Sequence, residues 1–284
     1  MITDKSSPVS EAPGRAALTA LFRRARPLIM GVLNVTPDSF SDGGKFLDPG
    51  QALEQARRLM AEGADLIDIG AESTRPYGGA APVPADEELR RLAPVLPTVV
   101  SLGLPVSIDT MKADVAAWAL GLGAAIVNDV WGLQRDPDMA RVVATGSAMT
   151  VVMHNRTHAD PAIDIMADIE AFFDRSLEIA ARAGIARDRI ILDPGIGFGK
   201  TAEQSIAVLA RLDRLTSFGL PLLVGASRKR FIDWVSPAEP QARLGGSIAA
   251  HLIAAENGAA IIRTHDVAPT IQALRVAQAI RSRR

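Results

Sequence analysis

Short apolar segments alternate with longer segments of helical periodicity along most of this chain. Eight apolar segments, rich in β-branched residues, recur about every 30 residues and lie at 28–33, 66–69, 106–108, 125–127, 149–153, 190–192, 222–224 and 260–262. Their hydrophobicity is continuous rather than alternating, which indicates strands that are buried on both faces of a sheet. The pattern therefore predicts a parallel sheet covered by helices.

The segments between the predicted strands place apolar residues at helical spacing, for example at 51–62, 114–122, 163–183 and 205–215. Eight strand–helix units in one chain predict an α/β fold, a single (β/α)8 TIM barrel with parallel strands. The main alternative, an open doubly wound sheet, predicts a glycine-rich dinucleotide-binding turn after the first strand. The residues there, from Asn34 to Asp38, contain no glycine.

The expected domain organisation is one barrel over residues 27–284, preceded by a flexible leader at residues 1–26. We find no linker rich in Pro, Gly or Ser that would separate two domains. The uncharged segment at 92–108 contains three prolines, which makes a membrane-spanning helix unfavourable. No secretory signal pattern precedes residue 27, so the expected location is the cytoplasm.

Composition excludes several classes of function. The chain of 284 residues has 31 basic and 32 acidic side chains and a net charge of −1, which does not match the basic surface of a nucleic-acid-binding protein. It has no cysteine, so disulfides, thiolate metal sites and cysteine nucleophiles are excluded.

Polar residues follow every predicted strand, at the end where the active sites of such barrels lie. The segments concerned are 34–44, 72–76, 109–110, 128–129, 154–156, 193–200, 227–230 and 263–266. Each one alone has an ordinary explanation as a helix cap, a turn or a solvated loop. Together these segments predict one site. Helix capping does not explain why Arg and Lys follow several strands, or why a carboxylate comes directly after the buried third and sixth strands.

The residue types in this predicted site indicate its ligands. Asp109 and Asp193 would need partners to stay ionised at the barrel mouth, and adjacent N–H donors of a ligand would provide them. Arg75, Arg263 and His265 follow strands two and eight, which flank strand one, and guanidinium groups suit phosphate oxygens. Asn34 could supply one oxygen to a Mg²⁺ that is also held by phosphate and water. A diphosphate is therefore the expected anion.

The segment from Gly195 to Thr201 resembles a nucleoside-triphosphate-binding loop. That motif requires glycine five residues before the Gly199-Lys200-Thr201 sequence. Pro194 occupies this position. We therefore do not expect a nucleotide triphosphatase.

Seven motifs from residue 27 onward occur together and in order, and with them the chain resembles the dihydropteroate synthase family. They are the segments at 33–44, 72–76, 107–110, 128–129, 193–200, 227–229 and 263–267. The resemblance implies condensation of 6-hydroxymethyl-7,8-dihydropterin diphosphate with p-aminobenzoate, giving 7,8-dihydropteroate and diphosphate in folate biosynthesis. It also implies Mg²⁺ as cofactor, a homodimer and a sulfonamide target.

The resemblance further implies roles for individual residues. The pterin would be held by Asp109, Asn128, Asp193, Lys229 and Met153. The diphosphate and Mg²⁺ would be bound by Asn34, Thr74, Arg75, Arg263 and His265. The p-aminobenzoate would be surrounded by Thr36, Pro37, Phe198, Lys229 and Arg230. The residues expected to take part in catalysis are Asp109, Lys229, Arg263 and His265.

The sequence departs from the family pattern in three loops. The segment at 154–158 lacks the usual Met, Arg and Gly after its first histidine, Tyr77 replaces a common glycine, and Arg230 replaces a serine found in some members. Three alternative functions are left open: a pterin-dependent methyltransferase, an aldolase that forms a Schiff base on Lys229, and an inactive barrel that serves as a binding subunit.

Overall fold

The computed structural model describes residues 18, 21–22, 24, 26–36, 49–72 and 83–283. Eight parallel strands close into a barrel in sequence order, with the last strand paired to the first. The strands are β1 Leu28–Asn34, β2 Leu66–Gly70, β3 Val106–Asp109, β4 Ile126–Asp129, β5 Met149–Met153, β6 Ile190–Asp193, β7 Leu222–Val224 and β8 Ala259–Thr264. The predicted (β/α)8 barrel is confirmed, and the doubly wound alternative is excluded.

Helices alternate with these strands and cover the outside of the barrel. Those in the described part of the chain are α1 Pro49–Ala61, α2 Ala85–Leu92, α3 Leu96–Val100, α4 Ala113–Gly121, α5 Met139–Thr145, α6 Ile165–Ala183, α7 Ala202–Ala210, α8 Arg230–Val235, α9 Leu244–Glu256 and α10 Val267–Arg281. Short 3₁₀ segments are Arg187–Arg189, Leu212–Phe218 and Pro240–Ala242.

The prediction of one helix over residues 205–215 was wrong about where that helix ends. The α-helix ends at Ala210, and Leu212–Phe218 continues as a 3₁₀ segment. Leu212 and Leu215 are both buried. Their spacing of three residues matches the three-residue turn of a 3₁₀ helix, which brings both side chains to the core.

The barrel has one core outside the sheet, under the helices, and a second core inside it. Alternate strand residues point inward, and the inner core is formed by Leu28, Met30, Leu66, Ile126, Met149, Val151, Ile191, Leu223 and Ile261. Leu18, which precedes β1, belongs to the same cluster and is fully buried. The inner core is apolar toward the N-terminal ends of the strands, and polar residues follow at the next inward positions.

An ionic contact joins the residues before β1 to the barrel. Asp65, just before β2, pairs with Arg24 and with Nη1 of Arg26, the latter at 2.7 Å. Its Oδ2 also accepts from the Ile29 amide at 2.8 Å. The predicted boundary between residues 26 and 27 stays a prediction. Among the described helices, none is both long and apolar enough to span a membrane.

Candidate active site

Strands β2, β3, β4, β6 and β8 each place a polar side chain in the barrel interior near its C-terminal end. Each lies two positions after an inward-facing residue, as the two-residue period of a strand requires. The five residues are Asp68, Asp109, Asn128, Asp193 and Arg263. The three carboxylates and the amide are buried, and the Arg263 side chain is 21% exposed. We call these five residues the polar layer.

Arg263 connects two carboxylates of the polar layer. Its Nε donates to Oδ2 of Asp68 at 2.7 Å, and its Nη2 donates to Oδ2 of Asp109 at 2.9 Å. Burial alone would lower the pKa of Arg263, but the charges of Asp68 and Asp109 outweigh it and raise the pKa. The guanidinium is therefore permanently charged and held in one orientation by two fixed acceptors.

One guanidinium cannot neutralise both of these carboxylates. Burial, followed by the charge of Asp68, raises the pKa of Asp109 to about 8, although Arg263 opposes the shift. Oδ2 of Asp109 is occupied by Arg263, whereas Oδ1 is buried without a partner. Burial and the Asp68 charge thus favour the protonated form of Asp109 more than in an ordinary carboxyl group, and its Oδ1 is the oxygen left for a ligand.

Asn128 presents a second unpartnered atom. Its Nδ2 donates to Oδ2 of Asp68 at 3.2 Å, which assigns the amide orientation. Its Oδ1 is buried and has no hydrogen-bond partner. Buried polar atoms normally have partners. Within the polar layer, Oδ1 of Asn128 and Oδ1 of Asp109 have none, and these two atoms indicate where a polar ligand would complete the site.

Asp193 is the third acidic group of the polar layer. Its Oδ1 accepts from the Gly195 amide at 2.7 Å. Burial raises the pKa of Asp193 to about 6, although the Gly195 amide and the cations Lys229, Arg263 and Lys200 lower it. Asp193 is therefore ionised at neutral pH in an environment that gains from further N–H donors.

The loop after β6 and the loop after β7 meet at the mouth. The Lys229 ammonium lies 4.2 Å from the centre of the Phe198 ring, which is a cation–π distance. Gly197 lies beside the same lysine, since a Cβ there would be in ordinary contact with Cδ of Lys229 at 3.4 Å. Phe198 and Lys229, both predicted to bind substrate, are thus brought together.

His265, at the end of β8, contacts the loop after β7. Its Nδ1 lies 3.0 Å from Oγ of Ser227, and its backbone N–H donates to the same oxygen at 3.3 Å. The neighbouring Arg228 pairs with Asp266 through Nε at 3.0 Å. Arg230 begins α8 on the exposed surface.

A family model described as pterin binding enzyme matches residues 30–265. The chain belongs to the pterin binding enzyme family. This family member is 44% identical over 250 residues to the dihydropteroate synthase of Bacillus subtilis (strain 168), a match that covers 88% of this chain and 87% of the relative.

Solved structures of dihydropteroate synthases resemble this pterin-binding barrel over most of its length. The enzyme from Clostridium difficile, solved in the presence of pteroic acid, is 48% identical with a TM-score of 0.86, over 90% of this chain and 97% of that one. The enzyme from Xanthomonas albilineans with 4-aminobenzoic acid is 45% identical with a TM-score of 0.86, over 90% and 94% of the two chains.

Several other predicted site residues of this family member can be placed. Asn34 is the last residue of β1, and Met153 is the last residue of β5. Each lies an even number of positions after the inner-core residues of its strand, so each is on the inward face of the barrel. Thr36 follows β1 and is partly exposed. Pro37, Thr74 and Arg75 lie outside the described residues, as does Tyr77.

Asp68 is a site residue that the sequence pattern does not single out. It lies inside the apolar segment at 66–69 and was counted as part of a strand. Asp68 lies two positions after the inner-core residue Leu66, so it is on the inward face of β2. A buried acidic residue at such a position needs a cationic partner. That inward position was the available signal, and Arg263 is the partner.

The donor set near Asn34 fits a Mg²⁺ that is held mainly by a substrate. In the described residues, no group of three or more acidic or histidine side chains is arranged to bind a metal ion. Mg²⁺ commonly takes one or two protein oxygens and completes its shell with phosphate oxygens and water. The single amide oxygen of Asn34 matches that pattern.

Proposed function

We propose that this chain is a dihydropteroate synthase, which condenses 6-hydroxymethyl-7,8-dihydropterin diphosphate with p-aminobenzoate in folate biosynthesis. The observation that carries the proposal is the polar layer, in which Oδ1 of Asp109 and Oδ1 of Asn128 are buried without a hydrogen-bond partner. The relatives and structures support it, because their names or bound molecules include dihydropteroate synthase, pteroic acid and 4-aminobenzoic acid.

The polar layer suits the edge of a pterin ring. The amino-pyrimidinone edge has neighbouring N–H donors, which the ionised Asp193 carboxylate can accept together. Asn128 and Asp109 each offer an unpartnered Oδ1 to the ring. Lys229 adds a positive charge, and Met153 supplies apolar surface for the flat ring. Together these groups orient the pterin with its side arm toward the mouth.

In the proposed reaction, the bond between the pterin methylene carbon and the diphosphate oxygen breaks, and its electrons leave with diphosphate. The p-aminobenzoate nitrogen donates its lone pair to the same carbon and then loses a proton to water. Stabilising the departing charge is the main task. We assign that task to Arg263 and His265, together with Thr74 and Arg75 by family resemblance.

Mg²⁺ is proposed as the cofactor, with Asn34 as its protein ligand. When bound, the ion would neutralise negative charge on the diphosphate. The p-aminobenzoate would lie beside Phe198 and Lys229, with Thr36, Pro37 and Arg230 around it. Its amine is neutral near pH 7, so no strong general base is needed at this position.

A homodimer in the cytoplasm is also proposed. Three apolar side chains on α9 and α10, namely Ile253, Val276 and Ile280, are each about half exposed. Val276 and Ile280 are four residues apart and share one face of α10. A second copy of the chain would cover them. Light scattering should give a dimer for the natural chain and a monomer for V276E/I280E.

The test is incubation of the protein with pterin diphosphate, Mg²⁺ and p-aminobenzoate, followed by mass spectrometry. Dihydropteroate and diphosphate should appear in equal amounts. A methyltransferase would release neither dihydropteroate nor diphosphate. In an aldolase, borohydride would trap a carbonyl substrate covalently on Lys229. Pterin binding without product would indicate an inactive binding barrel and overturn the proposal.

A further inference from the structure

The segment that resembles a phosphate-binding loop wraps around its own lysine. Nζ of Lys200 donates to the carbonyl oxygen of Gly195 at 2.9 Å and to that of Phe198 at 3.1 Å. It also lies 2.6 Å from Nδ1 of His154. The side chain is buried, at 2% exposure. The ammonium therefore faces the interior of the loop rather than a ligand.

The protein holds this ammonium through His154. Burial lowers the pKa of Lys200 to about 7, although the charges of Asp193 and Asp168 raise it. The charged form has only donors, so Nδ1 of His154 accepts from it and the ring hydrogen is on Nε2, the nitrogen that faces a carboxylate. That nitrogen lies 3.0 Å from Oδ2 of Asp168, in the first turn of α6. Burial, followed by the charge of Lys200, lowers the pKa of His154 to about 3 and keeps the ring neutral. Asp168 is in turn held by Nη1 of Arg156 at 2.8 Å.

Two glycines bring the loop into direct contact with the segment after β5. Gly195 and Gly199 have positive φ angles of 65° and 55°. A Cβ on Gly195 would lie 2.0 Å from the His154 carbonyl oxygen, and one on Gly199 would lie 2.4 Å from Cβ of Arg156. The backbone of the loop thus packs on the same residues that hold its lysine.

The other side of this loop forms part of the candidate site. The Gly195 amide donates to Asp193, and the Phe198 ring contacts the Lys229 ammonium. The carbonyl groups that bind Lys200 belong to Gly195 and Phe198 themselves. A shift of the buried ammonium would therefore move both groups at the mouth.

We propose that Lys200 is a positioning residue: its buried ammonium, oriented by His154 and Asp168, fixes the loop at 194–200 so that Phe198 and the Gly195 amide face the substrates. The inference rests on the proposed function for its kinetic consequence. The structural consequence, a rigid loop, does not depend on which reaction the site performs.

The test is the K200M variant, which keeps most of the side-chain length but removes the ammonium. Hydrogen exchange of the amides at 195–199 should rise about tenfold or more, while exchange in the barrel strands stays unchanged. The KM for p-aminobenzoate should also rise about tenfold, with a smaller change in kcat. Unchanged loop exchange and an unchanged KM in a folded variant would overturn the proposal.

Two further variants keep the test decisive if K200M does not fold. D168N removes the charge that holds His154 and should raise loop exchange in the same direction, by less. D164A removes the N-cap of the same helix, where Asp164 accepts from the Met166 amide at 3.0 Å, without touching Lys200. Equal loop exchange in D168N and D164A would show a general stability effect and contradict the proposal.

The wild-type protein separates this proposal from the proposed function. If it forms no dihydropteroate, the proposed function fails, but hydrogen exchange still tests the loop. If it forms product and D168N and K200M leave the loop unchanged, the positioning role alone fails.

Discussion

Arg263 and Asp68 are 195 residues apart in sequence and are joined across the barrel by a hydrogen bond of 2.7 Å between Nε and Oδ2. Asp68 also accepts from Asn128. One buried carboxylate thus orients a cation assigned to the leaving group and an amide assigned to the pterin. The two halves of the proposed site share a single fixed support.

Asp68→Asn should disturb both halves at once. The new amide can place its oxygen where Oδ2 accepts from both Arg263 and Asn128. It nevertheless loses the charge that pairs with Arg263, and its NH₂ group would replace Oδ1 and oppose the NH₂ group of Asn128. We expect kcat/KM to fall about 10²-fold, the size of loss that a misplaced catalytic group produces. Steady-state kinetics measure this loss.

D65N is the matched control for D68N. Asp65 is similarly buried and ion-paired, with Arg24 and Arg26, but it lies at the other end of the barrel. It should lower the melting temperature and leave kcat unchanged. Equal activity losses in D65N and D68N would mean that Asp68 acts only through stability.

Arg263→Lys tests the two-donor geometry of the guanidinium. Lysine keeps the charge but cannot reach Asp68 and Asp109 with separate, fixed N–H groups. If the guanidinium donates hydrogen bonds to the departing diphosphate, kcat should fall roughly 10²-fold. This loss corresponds to about 3 kcal/mol of transition-state stabilisation. R189K is the control, since Arg189 is buried at the opposite end of the barrel and donates to the Ala148 carbonyl at 2.8 Å. Full activity in R263K would contradict the assignment.

Asp193→Asn should stabilise the fold while weakening pterin binding. The raised pKa of Asp193, about 6 against an ordinary 3.8, means that the folded state binds the proton more tightly than the unfolded state. Wild-type stability therefore falls as pH rises from about 4 to about 6. Removing the charge should raise the free energy of unfolding at pH 7 by roughly 1–3 kcal/mol. Urea denaturation should show no such gain below about pH 4.

Pterin affinity should depend on pH through the same carboxylate. Only the ionised form of Asp193 accepts two N–H donors, so the association constant should fall about tenfold per pH unit below about pH 6. Calorimetric titration with a pterin measures the profile. D193N should bind the pterin weakly at every pH, and its association constant should no longer fall below pH 6 for this reason. A pH profile identical to that of the wild type would show that Asp193 does not bind the pterin.

The strands were predictable because each is a short apolar segment set between helical segments. β5 and β7 coincide with their predicted bounds, and β1 extends one residue beyond its predicted end to Asn34. Asp109, Asn128 and Asp193 were found because they come at or after the ends of apolar segments. Asp68 was missed because it lies within one, where only its inward parity distinguishes it.

The role of Lys200 could not be predicted from its neighbours in sequence. It depends on left-handed backbone at Gly195 and Gly199 and on His154, which is 46 residues away. Sequence spacing excluded a triphosphate-binding loop but gave no indication of an inward ammonium. Such contacts are set by tertiary packing rather than by local pattern.

The crystal structure of this chain with 6-hydroxymethylpterin, diphosphate and Mg²⁺ would test the central claim most directly. We predict the amino-pyrimidinone edge within hydrogen-bond distance of Asp193 and Oδ1 of Asn128, with diphosphate oxygens at the Arg263 end of the mouth. A pterin bound elsewhere, with the polar layer still closed on itself, would contradict the account.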